Sequence, residues 1–160
     1  QFNTSIFLKD VFEWGPKLIG GVFVLVGLCD ILSRVILLPV LLKRWNEKKV
    51  GIIGLFGLII GLALLFLSSY IQSIFFIAGA VACIVLGEGL FDPSYNAKLS
   101  VSVEDNQQGV LQGVNHSLQA LYRVIVPLGA AMIYTYNQGL VYGIASILMV
   151  LGLILFRKLR

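Results

Sequence analysis

QGVLQGVNHSLQALYRVIVPLG, residues 108–129, decides the fold. It is long and apolar enough to cross a bilayer, yet it carries Asn115, His116, Gln119 and Arg123. A helix wetted by lipid on every side does not hold such groups, since an arginine at mid-bilayer costs about 2.5–3.5 kcal/mol on insertion scales. The spacing resolves the conflict. Gln112, His116, Gln119 and Arg123 recur at i, i+4, i+7 and i+11, which is one face of an α-helix. Leu111, Val114, Leu118, Leu121 and Ile125 make another face, fully apolar. Gly109, Gly113 and Ser117 form a ridge of small residues, the pattern that lets a second helix approach closely. The stretch therefore reads as a membrane helix, with lipid on the leucine face and protein or water on the arginine face.

The rest of the chain agrees. It is 58% hydrophobic and 12% charged, with a mean hydropathy of +0.93, a composition whose natural solvent is the bilayer. The formal charge of +4 is no nucleic-acid signal, because the basic residues sit at the ends of apolar runs. Spanning helices are expected over residues 18–42, 50–69, 71–98, 107–135 and 139–156. Trp14-Gly15-Pro16 reads as the start of the first, with Trp14 at interfacial depth. Gly87, Gly89 and Pro93 are expected to interrupt the third, and Pro127 to kink the fourth. Residues 1–9 read as the tail of a further helix. No removable signal peptide is expected, and Gln1 reads as a start inside a longer protein.

Lys and Arg orient the bundle. Lys43, Arg44, Lys48, Lys49, Lys98, Arg157, Lys158 and Arg160 fall on one side if the helices alternate. The opposite turns, SSYIQS (68–73) and YNQG (136–139), carry no charge. The positive-inside rule makes the basic side, and the C-terminus, cytoplasmic.

Ionisable residues inside the spans are the candidate functional groups. The second and fifth helices have none. The first has Asp30 and Arg34, four apart on one face. They either neutralise each other and hold the bundle, or gate and couple; Arg34 could also snorkel to the interface. The third helix has Glu88 and Asp92 on one face, two like charges that point to a protonatable carboxylate, with Arg123 as a partner for one of them. Asp92-Pro93 reads as a helix-breaking or gating element. His116 reads as a hydrogen-bonded histidine rather than a relay, and it has no companion for a metal. Gly51, Gly54, Gly57 and Gly61 read as close packing. Cys29 and Cys83 read as small hydrophobes. No Walker A, GxSxG or HExxH pattern occurs, and nothing supports catalysis.

These residues resemble the C-terminal half of the major facilitator superfamily. PVLLKRWNEKK (39–49) is similar to the degenerate second copy of its cytoplasmic basic loop, matching at Arg44, Glu47, Lys48 and Lys49, with Asn46 where glycine is usual. GEGLFDPSYNAKLS (87–100) and QQGVLQGVNHSLQALYRVIVPLG (107–129) look like the tenth and eleventh helices of proton-coupled drug exporters of the tetracycline-efflux type. Asp92 stands for a common Asn there, and Val126 for Gly. The resemblance covers nearly the whole chain, as the tail of helix seven plus helices eight to twelve. It implies an all-α bundle of three-helix inverted repeats working by alternating access, with helices nine and twelve outside the cavity lining. RVILLP (34–39) and RVIVP (123–127) fall on the two helices that such a repeat relates.

The expectation is thus one membrane domain of a longer secondary transporter in the cell membrane. It would export small amphipathic compounds against a proton gradient, with no other cofactor, and its partners would be lipid, substrate, protons and the N-terminal half. Glu88, then Asp30, would take the proton, and Arg123 and Arg34 would be counter-charges, with Asp92, Asn115, His116 and Gln119 lining the same cavity. The alternatives are a metabolite or sugar facilitator of the same fold, and a non-transporting scaffold or sensor.

Overall fold

The structure, a computed structural model, describes residues 15–71, 74–136 and 138–158. Residues 1–9 and Trp14, read above as a helix tail and an interfacial anchor, lie outside the described residues. The described chain is helical throughout, and five of its helical rods are long and apolar enough to cross a membrane.

The first rod is composite. α1 (Pro16–Leu32) starts with proline at its first turn, where the missing N–H costs nothing. It runs into a π-helical turn (Ser33–Leu37) and then α2 (Leu38–Leu42). The backbone N–H of Leu38 donates to the carbonyl of Ser33, five residues back. A π turn adds about one residue to the helix circumference and re-aims the side chains beyond it. The sequence alone predicts one uninterrupted α-helix here.

α3 (Glu47–Ser68) and α4 (Ile74–Val101) form the central antiparallel hairpin. Glycines set their separation. A Cβ at Gly54 would lie 2.7 Å from the backbone nitrogen of Phe91, and one at Gly61 would lie 2.9 Å from the carbonyl of Ala80. Lipid tails are as apolar as leucine, so association in a membrane rests on this kind of close van der Waals contact.

α4 corrects one expectation. Gly87, Gly89 and Pro93 do not interrupt it; the helix runs unbroken from Ile74 to Val101. The glycines are packing notches instead. A Cβ on Gly87 would sit 2.7 Å from the carbonyl of Gly54, and one on Gly89 would sit 2.8 Å from Cβ of Ser33 on the π turn. Pro93 loses one backbone hydrogen bond, which membrane helices tolerate when neighbours pack around the site. Asp92-Pro93 is therefore no break.

α5 (Gln108–Tyr134), entered through a short 3₁₀ turn (Asp105–Gln107), and α6 (Gln138–Lys158) complete the set. α5 is continuous through Pro127. α6 lies antiparallel on α3: Phe156 packs near Gly51, and Phe66 near Gly143. The starts of α3 and the ends of α4 and α6 thus share one end, and that end is the basic one. Arg157 and Lys158 in the last turn of α6, and Lys98 in that of α4, complement the negative ends of those helices. Asn46 caps α3 with φ −68° and ψ 153°, ordinary extended backbone. Glycine is not needed there.

Exposure divides the helices. Leu55, Leu58 and Leu65 of α3 are buried against α4 and α6. No residue of α5 is buried. Its leucine face is open, with Leu118 59% and Leu121 57% exposed. So is its glycine ridge: a Cβ on Gly109 or Gly113 would meet nothing within 4 Å among the described residues.

Candidate functional site

The π turn positions the charges. Ser33 is buried at the crossing of the first rod with α4, its hydroxyl donating to the carbonyl of Cys29 at 2.7 Å. The next residue, Arg34, donates from Nε to both carboxylate oxygens of Asp30 at 3.0 Å. Its Nη2 lies 3.8 Å from Oδ2 of Asp92 on α4. One guanidinium therefore holds an intrahelical and a cross-helix acid together, and Arg34 does not snorkel away.

This corrects the second expectation. Arg123 is predicted from the sequence to pair with Glu88 or Asp92, but among the described residues it has no carboxylate within 4.0 Å, and Asp92 belongs to Arg34. Arg123 is still close enough for its charge to act on Asp92. Two side-chain bonds dock α5 on α4: Gln112 Nε2 donates to Ser100 Oγ at 3.1 Å, and Asn115 Nδ2 to Asn96 Oδ1 at 3.3 Å. Continued along the helices, that antiparallel register brings Arg123 level with Glu88 and Gly89. Gln119 is half-buried on the same side of α5. His116 is exposed and makes no hydrogen bond among the described residues, contrary to expectation.

Glu88 is half-buried and makes no ion pair or hydrogen bond among the described residues, although Asp92, Asp30 and Arg34 all lie within its field. It stands ten residues before Lys98, a rise of about 15 Å. That is about half of a 30 Å hydrocarbon core. Glu88, Asp30 and Arg34 line a cavity of about 480 Å³. Its other walls are apolar: Phe23 and Val26 from α1, Ile84 and Val85 from α4, Val126 from α5. Leu62 and Leu65 of α3 and Tyr142 of α6 also contribute, so the two charge-free helices are not outside this lining, as the resemblance implied. They supply only uncharged side chains, which is why their sequences carried no signal of it.

Arg44 and Lys49 are exposed at the basic end, Glu47 opens α3, and Lys48 is half-buried beside it. None of these four lies in the cavity that holds Glu88. No group of His, Cys, Asp and Glu able to hold a metal occurs among the described residues.

The Arg34 pairing gives a direct test. Arg34→Gln should lower stability by about 1 kcal/mol, the upper range for a partly exposed pair. Adding Asp30→Asn should recover most of that loss. Thermal unfolding in detergent at low and high salt reads both; no recovery would mean that the pair holds nothing together.

The sequence model of the Major Facilitator Superfamily matches residues 1–160. Among curated proteins, the chain is 32% identical over 153 residues to the class H tetracycline resistance protein of Pasteurella multocida, covering 93% of this chain and 37% of the relative. It is 30% identical over 156 residues to the class E tetracycline resistance protein of Escherichia coli, covering 95% and 38%. The class C protein of Escherichia coli is 28% identical over 142 residues, covering 89% and 35%. The chain thus spans little more than a third of the length of these relatives. No solved structure gives a significant match. The tetracycline-type resemblance read from residues 87–100 and 107–129 is borne out.

Proposed function

The chain belongs to the Major Facilitator Superfamily, and on that premise we propose that it forms the C-terminal part of a secondary active transporter exporting small amphipathic compounds in exchange for protons. The observation that carries the reading is Glu88: a carboxylate without a partner among the described residues, at mid-membrane depth, on the wall of a cavity whose lining, apart from the Asp30–Arg34 pair, is largely apolar. A carboxylate there is costly when charged and tolerable when protonated. It can therefore bind protons with different affinity in inward- and outward-open states, which is what coupling requires. Relatives named for tetracycline resistance fit an amphipathic substrate. The apolar walls suit such a compound, and Arg34, already shared by two acids, is not offered to an anion.

Asp30, Arg34 and Asp92 would hold the first rod against α4 in one state of an alternating-access cycle and reorganise in the other. The basic end would face the cytoplasm of the cell membrane, and the N-terminal half of the same transporter would complete the cavity. Arg123 is the observation on which an anion facilitator would rest, since it has no carboxylate within 4.0 Å among the described residues. The two readings separate in proteoliposomes of the whole protein with an imposed pH gradient. Export predicts tetracycline-dependent proton release from the vesicles. A scaffold moves neither species, and a facilitator moves an organic anion without the gradient; either result ends the proposal.

A further inference from the structure

Arg34 does more than fix the first rod. Its Nε donates to both oxygens of Asp30 at 3.0 Å, which pins the guanidinium at one edge. The two terminal nitrogens of the fork remain for other partners. One of them, Nη2, lies 3.8 Å from Oδ2 of Asp92, a contact between charges beyond hydrogen-bond length. Glu88 and Asp92 stand four residues apart on one face of α4, a rise of about 6 Å. Gly89, between them, packs on Ser33, the residue before Arg34. A Cβ on Gly89 would lie 2.8 Å from Cβ of Ser33 and 3.5 Å from Oδ1 of Asp30. The crossing therefore sets Arg34 between the two acids of α4, and its charge acts on both. The acids differ in surroundings. Glu88 lines the cavity of about 480 Å³ together with Asp30 and Arg34, whereas Asp92 is exposed and outside that lining.

The charge count favours movement. Among the described residues, the charged groups around Glu88 and Asp92 are Asp30 and Arg34 on the first rod and Arg123 on α5. α3 and α6 bring only apolar side chains and the phenol of Tyr142 to the cavity. With Glu88 protonated, two acids face two arginines and the cluster is neutral. With Glu88 ionised, one negative charge is in excess, in surroundings where an unpaired charge is costly. We propose, on the premise of proton exchange at Glu88, that Arg34 is the positioning residue of the proton site: it rests on Asp92 while Glu88 is protonated, and passes to Glu88, one helical turn away, when substrate displaces the proton to solvent. Asp92 is the resting place that lets Arg34 release Glu88 again for the next proton. Asp30 holds Nε throughout, so only the free edge of the fork has to move.

The test is equilibrium binding of radiolabelled tetracycline to the whole purified protein in detergent at neutral pH. Arg34→Gln and Asp92→Asn break the same contact, so a merely structural bridge would move both affinities in one direction. The shuttle predicts opposite signs. In an exchanger, substrate and proton oppose each other, so whatever favours ionised Glu88 favours substrate. Asp92→Asn leaves Arg34 to Glu88 and should tighten binding about fivefold, whereas Arg34→Gln leaves Glu88 with its proton and should weaken binding about fivefold. The double variant should bind as weakly as Arg34→Gln, since no guanidinium is left to pass. Shifts of one sign, or no shift for Asp92→Asn, overturn the proposal and leave coupling through Glu88 standing. If Arg34→Gln does not fold, Asp92→Asn, which loses only the 3.8 Å contact, carries the test alone. Absence of tetracycline-dependent proton release from the unsubstituted protein is a separate failure: it ends the transport reading, and this inference with it.

Discussion

Glu88→Gln is expected to reduce pH-gradient-driven transport to the level of protein-free liposomes, with expression and thermal stability unchanged. An amide keeps the shape of the carboxyl group but cannot exchange a proton, so the link between proton and conformation is removed. The fold should survive, because Glu88 holds no hydrogen bond or ion pair among the described residues and lines open space. Neutralising it removes a cost of burying charge rather than a contact. Glu104→Gln, in the exposed turn before α5, is the matched control and should transport normally. Transport by Glu88→Gln at the unsubstituted rate, in both directions, would sink the assignment and move attention to Asp30.

The second large effect is structural. Gly87→Ala should destabilise the protein by about 1–3 kcal/mol, and Gly87→Val by more. The new Cβ would lie 2.7 Å from the carbonyl of Gly54 and 2.8 Å from the nitrogen of Leu58. Both are backbone atoms of a helix, so no rotamer change relieves the clash, and α3 and α4 must move apart. Gly152→Ala on α6 gives the comparison. Among the described residues, nothing lies within 4 Å of its new methyl group. The gain in helix propensity should therefore leave stability unchanged or raise it by up to about 1 kcal/mol. Thermal unfolding in detergent measures both. Equal melting of Gly87→Ala and the unsubstituted protein would mean that the hairpin does not depend on this contact.

The same glycine shows where reading along the chain misleads. Gly87, Gly89 and Pro93 within seven residues look like a broken helix, because glycine and proline are local helix breakers. In the bundle the glycines face Gly54 and Ser33 across a helix crossing, and the gain from close packing outweighs their poor propensity. Gly54 and Gly61, in an otherwise unbroken apolar run, read correctly as contacts. Nothing in either pattern says whether a second helix lies alongside.

Much of the architecture was decided by the sequence alone. The spans come from apolar run length, since every backbone group in lipid must bond within its own helix. The common basic end of α3, α4 and α6 comes from where Lys and Arg fall. The Asp30–Arg34 pair comes from i, i+4 spacing on one helix. Each of these is a local property. Only the tertiary structure decided that Arg34, not Arg123, meets Asp92, that a π turn aims it there, and that α3 and α6, charged only at the basic end, wall the cavity beside Glu88 with uncharged side chains. Those outcomes depend on how far one helix is rotated and shifted against another. A helical repeat tells which residues share a face; packing between small residues sets what that face meets.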